Sequence, residues 1–309
     1  VVSGAPTLVI FGANSLCAEA LIKLLQAGTS WVGLGRHRPP GVAGLCWHHC
    51  DLSDLSGQGL EAAAAALPPG PQIWIGFAPI WLLAPFLAAM ARHKPEALAE
   101  LRGVVACSSS SVITKRFAAN RFDRELAARL AHSQTLLLET CEQLGVPARI
   151  LAPTLIHGRS AHHADRNVEA LRSLLRRLPL LPLPAQTGLR QPIAAADLAA
   201  VALQQGREMA STAKESPLSE SAVLPLGGDE TLSYHALLAR IQAGDPRAAR
   251  CRLLTLPTSF FQWLASPLLL VSPKTFEAVL RLSADLAGFT CVADLLGRSP
   301  QPFQVQPPP

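Results

Sequence analysis

Leu8-Val-Ile-Phe-Gly-Ala-Asn-Ser-Leu-Cys-Ala18 is the stretch from which the fold of this chain can be read. A short apolar run ends on a glycine, and a helical pattern from Asn14 to Gln26 begins at once. The order is strand, tight turn, helix. Such a corner lets backbone approach an anion closely and aims N–H groups at it from a helix N-terminus, whose dipole favours negative charge. Gly12 supplies the turn, and Ser15 and Ala18 stand where the next two glycines of a G-x-x-G-x-x-G fingerprint would fall. Alanine is acceptable at the helix–strand contact, whereas serine at the phosphate approach is a departure. Gly12, Ala13, Asn14, Ser15 and Leu16 are the candidate residues for a dinucleotide pyrophosphate.

Outward from that corner, short apolar runs alternate with helical stretches, the rhythm of βαβ units in a parallel sheet. Strands are expected at Thr7–Phe11, Trp31–Gly35, Leu45–His49, Ile73–Phe77, Gly103–Ser108 and Val146–Leu151. Helices are expected at Leu55–Leu67, from the fourth strand through Arg92, and at Asp123–Leu144, which is capped by Asp123 and closed by Gly145. The fold class is therefore α/β, a Rossmann-type doubly wound parallel sheet, with a smaller and mostly helical C-terminal substrate part. The boundary is set at 1–156 and 157–309, with segments near 185–206 and 222–226 packing back on the first part. Beyond residue 157 the spacing predicts helices at Asn167–Arg177, Asp197–Gly206, Thr231–Ala243, Thr258–Val271 and Pro273–Leu286. A strand is expected near Cys251–Leu256, a Pro-rich stretch at Pro179–Pro184 and a polar loop at Ser211–Ser221.

After the second strand stands Arg36, where an acidic residue would bind an NAD ribose hydroxyl; no Asp or Glu occurs between Glu19 and Asp51. A guanidinium there suits a 2′-phosphate, so NADP(H) is favoured over NAD(H). Asp51 and Leu52 follow the third strand, on the adenine side, and Ala78 follows the fourth, beside the nicotinamide ribose.

Composition narrows the other classes. Hydrophobic residues are 49% and charged ones 16%, so most of the chain can bury a core. A net charge of +5 without a long basic run gives no footprint for nucleic acid. Seven scattered cysteines are not a disulfide framework. Cys46-Trp-His-His-Cys50 holds metal-capable side chains, but on an extended strand neighbours point to opposite faces and cannot converge, so no metal site is assigned. Gly70–Ala91 carries no charge, yet Pro71, Pro79 and Pro85 interrupt it and it reads as a buried strand feeding a helix. With no basic flank at Val1–Pro6, a cytoplasmic protein without a membrane span is expected.

Further pieces follow in order: Asp51-Leu-Ser-Asp54, Ser108-Ser-Ser-Ser-Val112, Pro153-Thr-Leu-Ile-His-Gly158, Arg190-Gln-Pro-Ile193 with Ala196-Asp197-Leu198, and Gly227-Gly-Asp-Glu-Thr-Leu-Ser-Tyr234. Together with Gly12-Ala-Asn they resemble the extended short-chain dehydrogenase/reductase superfamily, in its NAD(P)-dependent nucleotide-sugar epimerase/dehydratase branch. The resemblance implies a cofactor domain that includes Pro153, a smaller part closing over a substrate, often a nucleotide sugar, and a catalytic serine matched by Ser109. A homodimer is left open.

The chain also breaks the pattern. The superfamily uses a Tyr-x-x-x-Lys pair, in which the lysine and the nicotinamide lower the phenol pKa from about 10 so that it can trade protons. Here the only tyrosine is Tyr234, followed four residues later by Leu238. Counting back from Glu139, Ala131 and Thr135 occupy the two places. His132 and Lys115 are candidates for the missing proton chemistry, and His157, Asn167 and Arg190 are candidates for binding substrate. Two functions compete: an epimerase/dehydratase- or reductase-like enzyme acting on a nucleotide sugar or small carbonyl compound with a rearranged acid/base, and a non-catalytic NADP(H)-binding structural or sensor protein.

Overall fold

Strands buried on both faces form the core of the large sheet, as apolar runs without alternation require. The computed structural model describes residues 5–40, 47–118, 120–211, 222–266, 279 and 281–305. The elements run β1 Thr7–Phe11, α1 Leu16–Leu24, β2 Trp31–Gly35, β3 Trp47–His49, α2 Gly57–Ala66, β4 Gln72–Gly76, α3 Ile80–His93, β5 Leu101–Cys107, α4 Ser111–Thr114, α5 Arg121–Gln143 and β6 Ala148–Pro153. They continue with β7 Ile156–His157, α6 Arg166–Arg177, β8 Leu180–Pro184, β9 Leu189–Arg190, β10 Ile193–Ala194, α7 Ala195–Ser211, β11 Val223–Gly227, β12 Leu232–Ser233 and α8 Tyr234–Ala243. The last are β13 Arg252–Leu256, α9 Thr258–Ala265, β14 Thr290–Cys291 and α10 Val292–Leu296.

One sheet of eight strands has the order β14-β11-β6-β5-β4-β1-β2-β3. Within it β3-β2-β1-β4-β5-β6 is the doubly wound order in which the chain starts in the middle and reverses direction between β1 and β4. The pairings of β1 with β2 and β4, of β2 with β3, and of β5 with β4 and β6 are parallel. The α/β Rossmann-type architecture read from the sequence is thus the one observed.

By its contacts the chain divides into two units: one of residues 1–110, 129–153 and 195–225, the other of 111–128, 154–194 and 226–309. In the first, Phe11, Trp74 and Phe86 form an aromatic group, Phe11 and Trp74 lying 4.6 Å apart between ring centroids. The Trp74 indole N–H donates to Gln72 Oε1 at 3.0 Å, so its buried polar atom is satisfied. Helix α7 packs on α1, β4 and β5. In the second unit, Val168, Leu175, Leu183, Leu237, Leu238, Ile241 and Phe303 form the core.

The Pro-rich stretch corrects the reading from sequence. It is β8, paired in parallel with β13 in a two-stranded sheet. Both strands lie at a sheet edge, so Pro182 and Pro184 can leave their missing donors outside the ladder. Gly70–Ala91 resolves into β4 and most of α3, and among the described residues no helix is long and apolar enough to cross a membrane. The helix expected at Thr258–Val271 is described as far as Ala265, and Arg281–Ser283 forms a 3₁₀ turn; most of the helix expected at Pro273–Leu286, most of the Ser211–Ser221 loop, and Cys46 lie outside the described residues.

Candidate functional site

A parallel sheet brings the C-terminal ends of its strands to one edge, and there the candidate cofactor residues gather. Gly12, Ala13, Asn14, Ser15 and Leu16 follow β1, Arg36 follows β2, Asp51 and Leu52 follow β3, Ala78 follows β4, and Pro153 ends β6. All lie in the first unit.

Gly12 has φ +72°, the left-handed region that favours glycine. A Cβ there would stand 2.7 Å from the Ala78 backbone nitrogen, so the turn after β1 lies hard against the turn after β4. The Gly12 and Ala13 N–H groups both donate to the Leu34 carbonyl, at 3.0 and 3.3 Å. Ser15 is the N-cap of α1: its backbone is extended and its hydroxyl accepts from Ala18 N–H at 3.3 Å. The first intrahelical bond runs from Glu19 N–H to Ser15 carbonyl. Leu16 and Cys17 N–H therefore have no acceptor among the described residues, as the first turn of a helix dictates. These two donors at a helix N-terminus fit a pyrophosphate, and the serine hydroxyl is held on the helix side of the corner.

Arg36 is exposed at the end of β2. Asp51 is held below the usual carboxylate range, first by hydrogen bonds from the Ser53 hydroxyl and N–H, with the positive charge of Arg36 contributing. Nearby, His48 and His49 are exposed on β3 while Cys50 is buried, its thiol pushed up to about 11 by burial and then by the charge of Asp51. Among the described residues no group of three or more His, Cys, Asp or Glu side chains is placed to hold a metal ion.

The candidates for proton chemistry are divided between the units. Ser109 and His132 lie in the first and Lys115 in the second. His132 is exposed on α5, as are Ala131 and Thr135. Lys115 pairs with the buried Asp123 carboxylate at 2.8 Å. A residue absent from the sequence reading is Gln134, buried on α5, whose amide donates to the Ser108 hydroxyl at the end of β5 at 2.7 Å. Its signal was present: Ala127, Leu130, Gln134, Leu137 and Cys141 recur at helical spacing on the inward face.

The substrate candidates all lie in the second unit. His157 is buried at the end of β7, its ring edge-on to Phe303 at 4.7 Å, and burial pushes its pKa down to about 4. Asn167 is exposed in the first turn of α6, which Asp165 caps by accepting from Val168 N–H at 2.6 Å. Arg190 is buried; its guanidinium donates to the Leu189 and Ala284 carbonyls, both at 2.7 Å, and lies over the Tyr234 ring. His157, Gly158, Arg159, Asp165, Glu169 and Arg172 line a small cavity.

No family model and no curated protein matches the sequence. Solved structures do match. A UDP-glucuronic acid 4-epimerase from Bacillus cereus in complex with NAD is 12% identical with a TM-score of 0.61, over 96% of this chain and 94% of that one. A GDP-mannoheptose C4 reductase from Campylobacter jejuni with NADP bound is 13% identical with a TM-score of 0.59, over 84% and 89%. A UDP-N-acetylglucosamine 4-epimerase from Bacillus cereus is 11% identical with a TM-score of 0.58, over 82% and 87%. At these identities the likeness is one of fold.

Proposed function

We propose that this chain is an NAD(P)-binding protein of the extended short-chain dehydrogenase/reductase type, acting as an epimerase/dehydratase or reductase on a nucleotide sugar or small carbonyl compound, with NADP(H) as its preferred cofactor. The observation that carries this reading is the corner after β1. There Gly12 permits the tight turn, and the Leu16 and Cys17 N–H groups point from a helix N-terminus without an acceptor among the described residues. The likeness to an NAD-bound epimerase and an NADP-bound reductase supports the class. The exposed Arg36, with no acidic residue between Glu19 and Asp51, supports a 2′-phosphate over a free ribose hydroxyl.

When bound, the nicotinamide would give a hydride in a reduction, or take one from the substrate and return it in an epimerisation or dehydration. The chain would contribute the rest: Leu16 and Cys17 hold the pyrophosphate, Arg36 takes the 2′-phosphate, Asp51 and Leu52 border the adenine, and Ala78 and Pro153 flank the nicotinamide end. Ser109 would hydrogen-bond a substrate oxygen. His132 or Lys115 would move the proton that the missing tyrosine otherwise handles. His157 and Asn167 would face the substrate, with Arg190 framing that side. Calorimetric titration tests the first step. NADPH is expected to bind at least tenfold tighter than NADH, and Arg36→Ala to erase the difference; equal affinities in the parent protein would remove Arg36 from the site. Turnover is read as NADPH oxidation for a reduction, and as conversion of the substrate to a new product with the cofactor left unchanged for an epimerisation or dehydration, across a panel of nucleotide sugars and small carbonyl compounds.

A second reading, a non-catalytic NADP(H)-binding protein, is favoured by one observation: Gln134 occupies the inward face of α5 and holds Ser108, and no tyrosine stands on that helix. It predicts tight NADPH binding, a raised melting temperature and no turnover on any member of the panel.

A further inference from the structure

The second unit carries an apolar surface unrelated to the candidate site. Strands β8 and β13 pair so that Arg252 lies opposite Leu180 and Leu254 opposite Pro182. Leu181 and Leu253, one position along, pack on the core cluster, so alternation turns Leu180 and Leu254 outward, each 42% exposed. Helix α9 follows directly after Pro257. It buries Phe261 and leaves Phe260 and Trp263 outward, 48% and 69% exposed, their rings stacked at 5.8 Å. A tryptophan, a phenylalanine and two leucines are thus exposed on neighbouring elements, since α9 packs against β8.

Among the described residues, the exposed charges next in sequence to β8 and β13 are basic. From Leu253 to Ser266 no charged residue occurs. Arg250 and Arg252 precede this stretch, and Arg177 stands three residues before Leu180. All three are exposed, and none makes an ion pair among the described residues. Asp245, the acid preceding these arginines, is 1% exposed and already occupied by Arg176. A protein partner with an apolar face would need acids to match the arginines, whereas an anionic bilayer offers both at once: acyl chains for Phe260 and Trp263, and phosphates for the arginines. Tryptophan suits the depth at which apolar and polar regions meet.

We propose that the β8–β13–α9 surface binds the face of an anionic phospholipid bilayer, with Phe260 and Trp263 entering the acyl boundary and Arg177, Arg250 and Arg252 resting on headgroup phosphates. This is peripheral attachment, driven by apolar area together with charge.

The test uses the full chain with vesicles of phosphatidylcholine alone or of phosphatidylcholine mixed with anionic phosphatidylglycerol. Co-sedimentation is expected with the anionic vesicles and not with the neutral ones, and it should weaken as salt is raised. The double variant F260S/W263S is expected to lose binding at least tenfold. Each of R177Q, R250Q and R252Q should lose about fivefold, the contribution of one basic residue at such a surface. Both aromatic side chains are exposed, so the double variant should keep the parent's melting temperature, which separates lost binding from lost folding. Sedimentation equally strong for F260S/W263S, or none with anionic vesicles, overturns the proposal. So does a parent dimer that F260S/W263S converts to monomer, since a second copy would then be the occupant.

Discussion

Ser15 stands where a Rossmann fingerprint would place its second glycine, and its hydroxyl spends itself on Ala18 N–H as a helix cap. Replacing it with alanine should cost about 1 kcal/mol of stability, and with glycine only a few tenths, measured by urea unfolding. The serine itself was legible as a departure; its remedy was not, because which way a hydroxyl turns depends on the backbone angle at Ser15. His157 allows a sharper test. Its folded pKa is depressed to about 4 by burial, below an unfolded value near 6.5. Its neutral form therefore contributes stability that is complete above about pH 6.5 and is lost as pH falls toward 4, on the order of 3 kcal/mol in all. Half-buried Asp165 is shifted upward by desolvation and acts with the opposite sign. The informative quantity is therefore the difference between parent and His157→Phe melting temperatures across this range. The parent should lose more stability on acidification, and parallel curves would remove the histidine's contribution.

Among the elements, α6 is held by charge as well as by its apolar face. Asp245 accepts from Arg176 Nε at 2.6 Å and from Arg247 N–H at 3.0 Å, and Arg172 Nε lies 3.9 Å away. Burial alone would raise the Asp245 pKa; the bonds from Arg176 and from the Arg247 and Ala248 N–H groups outweigh it and hold the carboxyl below its usual range. Asp245→Ala should cost about 1–3 kcal/mol, since Arg176 and the Arg247 and Ala248 N–H groups lose their acceptor while Arg172 keeps Glu169 at 2.7 Å, and the loss should appear in chemical unfolding. Helices α1, α2 and α5 were legible to within about two residues, because apolar periodicity and capping residues are local signals, whereas α7 runs to Ser211, five residues past the expected Gly206. Strand β8 was not. Its prolines argue against a strand, and what makes it one is β13, about 70 residues later, a partner no local pattern reveals.

Across the whole molecule, the order of β1 to β6 could be read because each βαβ crossover has a fixed hand and short connections. The second unit could not be read that way, since its sheets are pairs of short strands brought together from distant parts of the chain. The same interleaving governs how the first unit is completed. Helix α7, in residues 195–211, covers β4 and β5, and Gly103 and Gly206 allow it to approach: a Cβ at Gly103 would meet Met209 at 2.8 Å and one at Gly206 would meet Ile73 at 3.1 Å. A fragment of residues 1–156 lacks that helix. It should therefore be recovered as aggregate, or as a species that binds a hydrophobic dye, whereas 1–156 mixed with a separate 195–225 peptide should gain solubility. During synthesis the consequence is a delay. The corner at Gly12 leaves the ribosome before the layer that seals the sheet behind it, which is made some 180 residues later (about 10–40 s at ordinary elongation rates). For that interval the growing chain exposes an uncovered apolar sheet face, which closes only when residue 211 has emerged.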